Sequence, residues 1–330
     1  MINIDITKLP KKINEIAYFK KSENGTTIYN YSSKNKNDMV IIKLEECEIE
    51  KDFAINGSTL EMVRKLQPLT SLELENDKLV IKSKKGTFKG ALISETMFSP
   101  NTDLEKGIKV NLKALKVLSA FTSNNDKKPI LAGINIKADG TMAATDSFKL
   151  ARYLSVETVK TNDNITIPKT FIDLIKTEID EEEITLKYND KIVALEKDNI
   201  TFISSLIAGN YPDVSRIFRP SEFKIVYETE TLKEAINLAK NVGINNNGEK
   251  YLSLLFDNGK LVAQGTSTYE TIINDKEDNK YKFVLSAESL ELVLNNITNE
   301  NVEIGYISNN QPIQIEDNGI EYIVLPIKTN

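Results

Sequence analysis

The alternation of apolar and polar side chains along this chain changes period repeatedly, from about 3.6 residues to 2 and back. Helical spacing falls at Lys8–Phe19, Thr59–Gln67, Lys109–Phe121, Ile167–Glu178, Thr229–Val242 and Leu285–Ile297, with starts about fifty to sixty residues apart. Strand-like alternation fills the intervals. Ser71–Ser94 (SLELENDKLVIKSKKGTFKGALIS), Glu183–Ala208 (EITLKYNDKIVALEKDNITFISSLIA) and Asn301–Ile327 (NVEIGYISNNQPIQIEDNGIEYIVLPI) share one order: a charged-apolar strand, an Asn/Asp turn, a second strand, a second turn and an apolar closing strand. That order predicts an antiparallel meander. Evenly spaced helix-plus-meander units predict internal repetition, with two units to a domain and three domains over 1–102, 103–221 and 222–330. The expected fold class is α+β, each domain holding two helices packed on antiparallel sheets.

The helical stretches divide into two faces. Leu112, Leu115 and Leu118 make one row while Lys109, Lys113 and Lys116 make another at the same spacing. Leu60, Val63 and Leu66 oppose Arg64 and Lys65, and Leu232, Ile236 and Ala239 oppose Lys233 and Lys240. One face is expected to lie on a sheet and the other to be cationic. The sixth stretch departs from this, carrying Glu288 and Glu291 and no Lys.

Composition narrows the function classes. With 330 residues, 40% hydrophobic and 27% charged, the chain can build packed cores and is neither disordered nor fibrous. No apolar run approaches a membrane span, and MINIDITKLPKK lacks the apolar core of a signal peptide, so a cytoplasmic protein is expected. The single cysteine, Cys47, ends the strand-like stretch Val40–Cys47 and cannot form an internal disulfide; it reads as a small core or edge residue. The absence of histidine removes the usual general base, the Ser-His and Cys-His nucleophile pairs and most transition-metal ligand sets. Neither G-x-x-x-x-G-K-[ST] nor G-x-G-x-x-G occurs. No cofactor or metal is expected. An enzyme would need carboxylates, Lys or Tyr; the acid clusters Glu45-Glu46 and Asp180–Glu183 stand at element ends, where solvated turn residues are common.

Net charge is −6 and the sequence pI about 5.2, which argues against tight direct binding to nucleic-acid phosphates. A closed ring with a weakly positive lumen avoids that objection, because topology retains it on a duplex. Six helix-on-sheet units suit such a ring, helices inside and sheets outside.

Three segments carry a family resemblance. Pro129–Arg152 contains Ala144-Thr145-Asp146-Ser147-Phe148-Lys149-Leu150-Ala151, Ser205–Phe218 reads SLIAGNYPDVSRIF, and Tyr322–Lys328 reads YIVLPIK. In order and separation these resemble the signature motifs of the bacterial DNA polymerase III β subunit, the sliding clamp. The resemblance covers Lys109–Asn330, and the sixfold repeat extends it to the start. Phe148 stands where the family often has His or Tyr, Ser147 where it often has Gly, and Lys328 replaces the commoner Arg. The loop expected after the first helix is short, Tyr18–Tyr29 running straight into the next strand, while the second domain keeps its counterpart at Asn124–Ile130.

The resemblance implies a non-enzymatic processivity clamp built of three similar domains. It implies a topological, sequence-independent hold on double-stranded DNA, and short linear peptides of the polymerase catalytic subunit, the clamp loader and other clamp-binding proteins as partners. The implied peptide pocket comprises Leu131, Thr145, Ser147, Phe148, Lys149, Leu150, Pro212, Arg216, Ile217, Ile323, Val324, Leu325, Pro326, Ile327 and Lys328. The implied DNA-facing cations are Lys11, Lys12, Arg64, Lys65, Lys113, Lys116, Lys127, Lys128, Lys169, Lys176, Lys233 and Lys240. Closure would be a head-to-tail homodimer, with Phe88 meeting Val242 and Ile244 across the boundary. Two alternatives stay open: a phage- or plasmid-type clamp of different subunit count, and a carboxylate-dependent enzyme on a repeated α+β scaffold.

Overall fold

The computed structural model describes residues 9–45, 47–66, 69–76, 78–100, 103–154, 163–240, 253–264, 268–273 and 280–327. Its repeating unit is a leading strand, a helix and a three-stranded meander. The first copy is described only as a meander: β1 (Ile16–Ser22), β2 (Gly25–Tyr31) and β3 (Met39–Glu45). The second is β4 (Phe53–Asn56), α1 (Gly57–Lys65), β5 (Leu69–Glu75), β6 (Lys78–Ser83) and β7 (Gly86–Ala91). The third is β8 (Lys106–Asn111), α2 (Leu112–Ser119), β9 (Gly133–Ile136), β10 (Met142–Thr145) and β11 (Lys149–Tyr153). The fourth is β12 (Ile165–Pro168), α3 (Lys169–Ile175), β13 (Glu183–Tyr188), β14 (Ile192–Lys197) and β15 (Ile200–Ser205). The fifth is β16 (Phe223–Glu228), α4 (Thr229–Lys240), β17 (Ser253–Asp257), β18 (Lys260–Gln264) and β19 (Thr268–Ile272). The sixth is β20 (Lys282–Ser286), α5 (Ala287–Leu294), β21 (Asn301–Tyr306), β22 (Ile313–Asp317) and β23 (Ile320–Val324).

Two compact units emerge. One, Met1–Lys113 with Ile167–Ala208, is built around the eight-stranded sheet β4-β1-β2-β3-β15-β14-β13-β8 and the three-stranded β5-β6-β7. The other, Ala114–Thr166 with Gly209–Asn330, is built around β12-β9-β10-β11-β23-β22-β21-β16 and β19-β18-β17-β20. Sister copies exchange their leading strands: β4 borders β1, β8 borders β13, β12 borders β9, β16 borders β21 and β20 borders β17. Each helix is therefore tied at its N-terminus to one sheet while its own meander runs in another.

Local chemistry accounts for the elements. The helices bury the expected rows, with Leu60 and Val63 on α1, Leu112, Leu115 and Leu118 on α2, and Leu232, Ile236 and Ala239 on α4 all buried; full burial of such a side chain contributes about 1.5–3 kcal/mol. The Ser286 hydroxyl caps α5 by accepting from Ser289 N–H at 3.4 Å. Meander turns place Asn76, Asp198, Asn258 and Asn318 at φ of 47–50°, a region that short polar side chains tolerate.

Helix starts differ from the sequence reading in a systematic way. Lys109 lies on β8 and Ile167 on β12, so α2 and α3 begin only after leading strands that read as helical from their apolar spacing. The first stretch is a larger correction. Lys8 lies outside the described residues, 9–15 hold no regular structure, and Ile16–Ser22 is strand β1. Pro10 lacks an N–H, and Ala17 and Phe19 are both buried, at the spacing of a strand face. Phe19 stacks on Phe53 of β4 with ring centroids 4.5 Å apart. Asn30 locks the turn into β1, its Oδ1 accepting from Asn14 N–H at 2.7 Å and its Nδ2 donating to Ile16 O at 2.8 Å. Five helices, not six, are present among the described residues.

Candidate functional site

Three segments far apart in sequence converge in the second unit. The turn from β10 to β11 satisfies its own polar groups: Thr145 Oγ1 donates to Lys149 O at 2.7 Å and accepts from Ser147 N–H at 3.0 Å. Asp146 Oδ1 accepts from the N–H groups of Phe148 and Lys149 at 2.8 and 2.9 Å, and the other oxygen of Asp146 pairs with the Lys149 ammonium. The turn is thus held in shape without a ligand. Ser147 sits at its apex with φ 85°, and Phe148 is 70% exposed.

The C-terminal segment lies along this turn. Lys149 is opposite Val324 and Leu150 opposite Ile323 in the β11–β23 ladder. Beyond β23, Leu325 N–H donates to Phe148 O at 3.0 Å and Ile327 N–H to Val284 O of β20 at 2.7 Å. Ile323 and Val324 are buried, whereas Leu325 and Ile327 are exposed.

The third segment is the connection from β15 to β16. Tyr211 Oη accepts from Thr145 N–H at 3.0 Å, and burial pushes this phenol well above its ordinary range, so it stays protonated. Val214 joins Ala143, Leu150 and Ile323 in a buried cluster, with Tyr211 and Phe218 packed against it. Asp213 accepts from Ser215 N–H at 3.1 Å, which with its neighbours lowers its carboxyl pKa. Pro212, Arg216 and Ile217 are exposed, the last two in a short turn Ser215–Ile217. Leu131 is buried at the turn Pro129–Ala132.

The result is an apolar surface with buried aliphatic support, an exposed aromatic and an exposed guanidinium. Such a surface suits a short peptide with apolar anchors. Thr145, Ser147, Phe148, Lys149, Leu150, Ile323, Val324 and Leu325 are brought together by main-chain pairing, and Pro212, Arg216 and Ile217 arrive on the Tyr211–Phe218 strap. Lys149 is engaged by Asp146. Lys328 lies outside the described residues.

Several residues border this surface that the sequence motifs do not mark as part of it. Lys128, one of the DNA-facing candidates, donates from its ammonium to Ser147 Oγ at 3.1 Å, beside this surface. Tyr211 and Val214 lie inside a quoted motif and were not singled out. Arg152 closes the first motif, bonding Glu321 through Nε and Nη2 at 2.7 and 2.6 Å and stacking 3.5 Å from the centre of the Phe218 ring.

Ser147 yields a direct stability test. A non-glycine residue at φ 85° is strained by about 1–2 kcal/mol, against about 0.5–1 kcal/mol for the extra chain freedom of glycine. Ser147→Gly is expected to raise stability by about 0.5–1 kcal/mol in urea unfolding; a loss would mean that the Lys128 contact outweighs the strain.

The DNA-facing candidates divide. Lys11 donates to Thr177 O at 2.6 Å, and Arg64 donates to the Pro10 and Lys11 carbonyls at 3.0 and 2.7 Å. Lys176 pairs with Asp173 at 2.6 Å, Lys233 with Glu230 at 2.8 Å and Lys240 with Glu291 at 2.7 Å. Lys12, Lys65, Lys113, Lys127 and Lys169 form no ion pair among the described residues, and Lys116 is half-buried on α2. Of the closure residues, Phe88 is half-buried on β7, while Val242 and Ile244 lie outside the described residues. Ile272 on β19, not anticipated, is 65% exposed.

An open groove of about 530 Å³ on the β16-β21-β22-β23 sheet is lined by Glu300, Glu303, Glu316 and Glu321 among others. Lys224 pairs with Glu303 at 2.5 Å, and Arg152 holds Glu321. Among the described residues no three acid or cysteine side chains gather to hold a metal, and no helix is long and apolar enough to cross a membrane.

Residues 108–213 match the model for the central domain of the DNA polymerase III beta subunit. The beta sliding clamp of Staphylococcus aureus is 29% identical over 252 residues, covering 70% of this chain and 66% of that relative, and the Staphylococcus epidermidis clamp matches to the same extent. Over these residues the chain is similar to the DNA polymerase III β subunit. The match spans just under two thirds of those relatives' length. Among solved structures, the β subunit of Thermotoga maritima superposes with a TM-score of 0.81 at 18% identity, covering 98% of this chain and 94% of that one. The Bacillus subtilis sliding clamp gives 0.80 at 18%, covering 96% and 91%. The clamp fold thus extends over nearly the whole chain, including the first third, where the sequence motifs are weakest.

Proposed function

We propose that this chain is a subunit of a DNA sliding clamp, a non-catalytic processivity factor of three domains over 1–102, 103–221 and 222–330 that acts in the cytoplasm. One observation carries the ring. Third strands of the meanders pair between copies three apart: β3 of the first copy with β15 of the fourth, and β11 of the third with β23 of the sixth. The same step joins β19 of the fifth copy to the second copy, whose third strand is β7. Among the described residues β7 pairs only with β6 and β19 only with β18, so both keep a free edge. A second chain supplies the missing partner for each, and the heterologous contact closes head to tail as a dimer. Phe88 on β7 and Ile272 on β19 are the apolar side chains at this joint.

The peptide surface at Thr145–Leu150, Tyr211–Ile217 and Ile323–Ile327 then tethers the polymerase catalytic subunit, the clamp loader and other proteins bearing an apolar linear motif. DNA contact is weak and spread over lysines such as Lys12, Lys65, Lys113, Lys127 and Lys169, consistent with the net charge of −6. The protein, once loaded, is expected to stay on nicked circular DNA and slide off linear DNA, with weak, salt-sensitive binding when unloaded. Equal retention on both forms would reject the ring.

A further inference from the structure

We infer that Tyr211 is a working part of the peptide surface: its hydroxyl oxygen positions the Thr145–Lys149 turn, and its proton serves an acceptor oxygen of the bound peptide. This rests on the peptide-binding reading of the site. The Thr145 N–H, at the end of β10, is the first donor of the turn, and Tyr211 Oη takes it at 3.0 Å. The other turn donors are taken from within, by Lys149 O, Thr145 Oγ1 and Asp146 Oδ1. Tyr211 is therefore the side chain that ties the turn to the strap carrying Pro212, Arg216 and Ile217.

A phenol is both acceptor and donor. Its oxygen is occupied by Thr145, yet its proton has no acceptor among the described residues. Burial keeps that proton on the oxygen across ordinary pH. Tyr211 is half-buried, not sealed, and packs against the cluster of Ala143, Leu150, Val214 and Ile323 that supports the surface. A donor so held meets a carbonyl or side-chain oxygen of a peptide without reorganising. The ligand class is a peptide that pairs apolar anchors with one acceptor oxygen beside them.

Tyr211→Phe removes one oxygen atom and keeps the ring that fills the cluster. Calorimetry of the full-length chain with a Gln-Leu-Ser-Leu-Phe peptide should show affinity falling about five- to tenfold, the size of one net hydrogen bond. A series of peptides replacing one amide or side-chain oxygen at a time should contain one member whose binding is unaffected by Tyr211→Phe, a coupling that a purely structural role would not produce. Hydrogen exchange of the Thr145 amide in the free protein, which needs no peptide, should quicken in the variant. Unchanged exchange and unchanged affinity would overturn the inference, and a uniform loss across the series would overturn the donor role. A wild-type chain that ignores the parent peptide would instead reject the peptide-binding reading, and exchange at Thr145 would still decide the positioning role.

Discussion

Ile272→Asp is expected to convert the proposed dimer into folded monomers. Ile272 is 65% exposed on β19, a strand whose outer edge pairs with none of the described residues, so a polar substitution should leave the fold within about 0.5 kcal/mol of its original stability. In the proposed ring the same side chain would be buried against the partner, where a carboxylate would cost several kcal/mol at each of two symmetric joints. Phe88→Asp tests the opposite face of the contact. It is less clean, because Phe88 is half-buried and its ring lies only 2.8 Å from where a Cβ on Gly90 would stand. Light scattering with far-UV circular dichroism reads both variants. A dimer mass retained by both would reject closure through β7 and β19 and leave the fold untouched.

The second large effect concerns the C-terminal tail. Removing Leu325–Asn330 takes away two exposed apolar side chains, Leu325 next to Phe148 and Ile327 next to Val284, and losing even one central anchor typically costs about 2 kcal/mol or more of binding. Binding of a Gln-Leu-x-Leu-Phe-type peptide should therefore fall below detection in calorimetry. The tail is also docked, through Leu325 N–H to Phe148 O and Ile327 N–H to Val284 O, so truncation should lower unfolding stability by about 1–3 kcal/mol. Leu325→Ala separates the two effects, because it keeps both main-chain bonds and shortens a side chain that is 38% exposed. Unchanged peptide affinity in folded protein from both variants would mean that the tail only braces β11 and β20.

The meanders were legible because each strand alternates over a local window and each turn carries Asn, Asp or Gly. Helix starts were misplaced at β8 and β12 because the leading strand and the helix present one continuous apolar series, and a one-dimensional period does not reveal where the chain changes pitch. The first stretch failed for a related reason. Leu9, Ile13 and Ala17 have helical spacing, yet Phe19 on Phe53 and the Asn14–Asn30 pair are contacts to residues over ten positions away.

For the site, the sequence by itself picked out Thr145–Leu150, Pro212–Ile217 and Tyr322–Ile327, segments that the fold brings side by side. It also determined the repeat, the lack of histidine and the acidic balance. Only the tertiary structure decided what those groups do. Lys149 is paired with Asp146, Arg64 donates to two carbonyl groups, Lys128 donates to Ser147, and Ile272 is exposed on a strand that pairs only with β18 among the described residues. Arg64 and Lys128 find their partners far away in sequence, and β11 meets β23 only through sheet pairing between copies three apart, separations that no local pattern along the chain encodes.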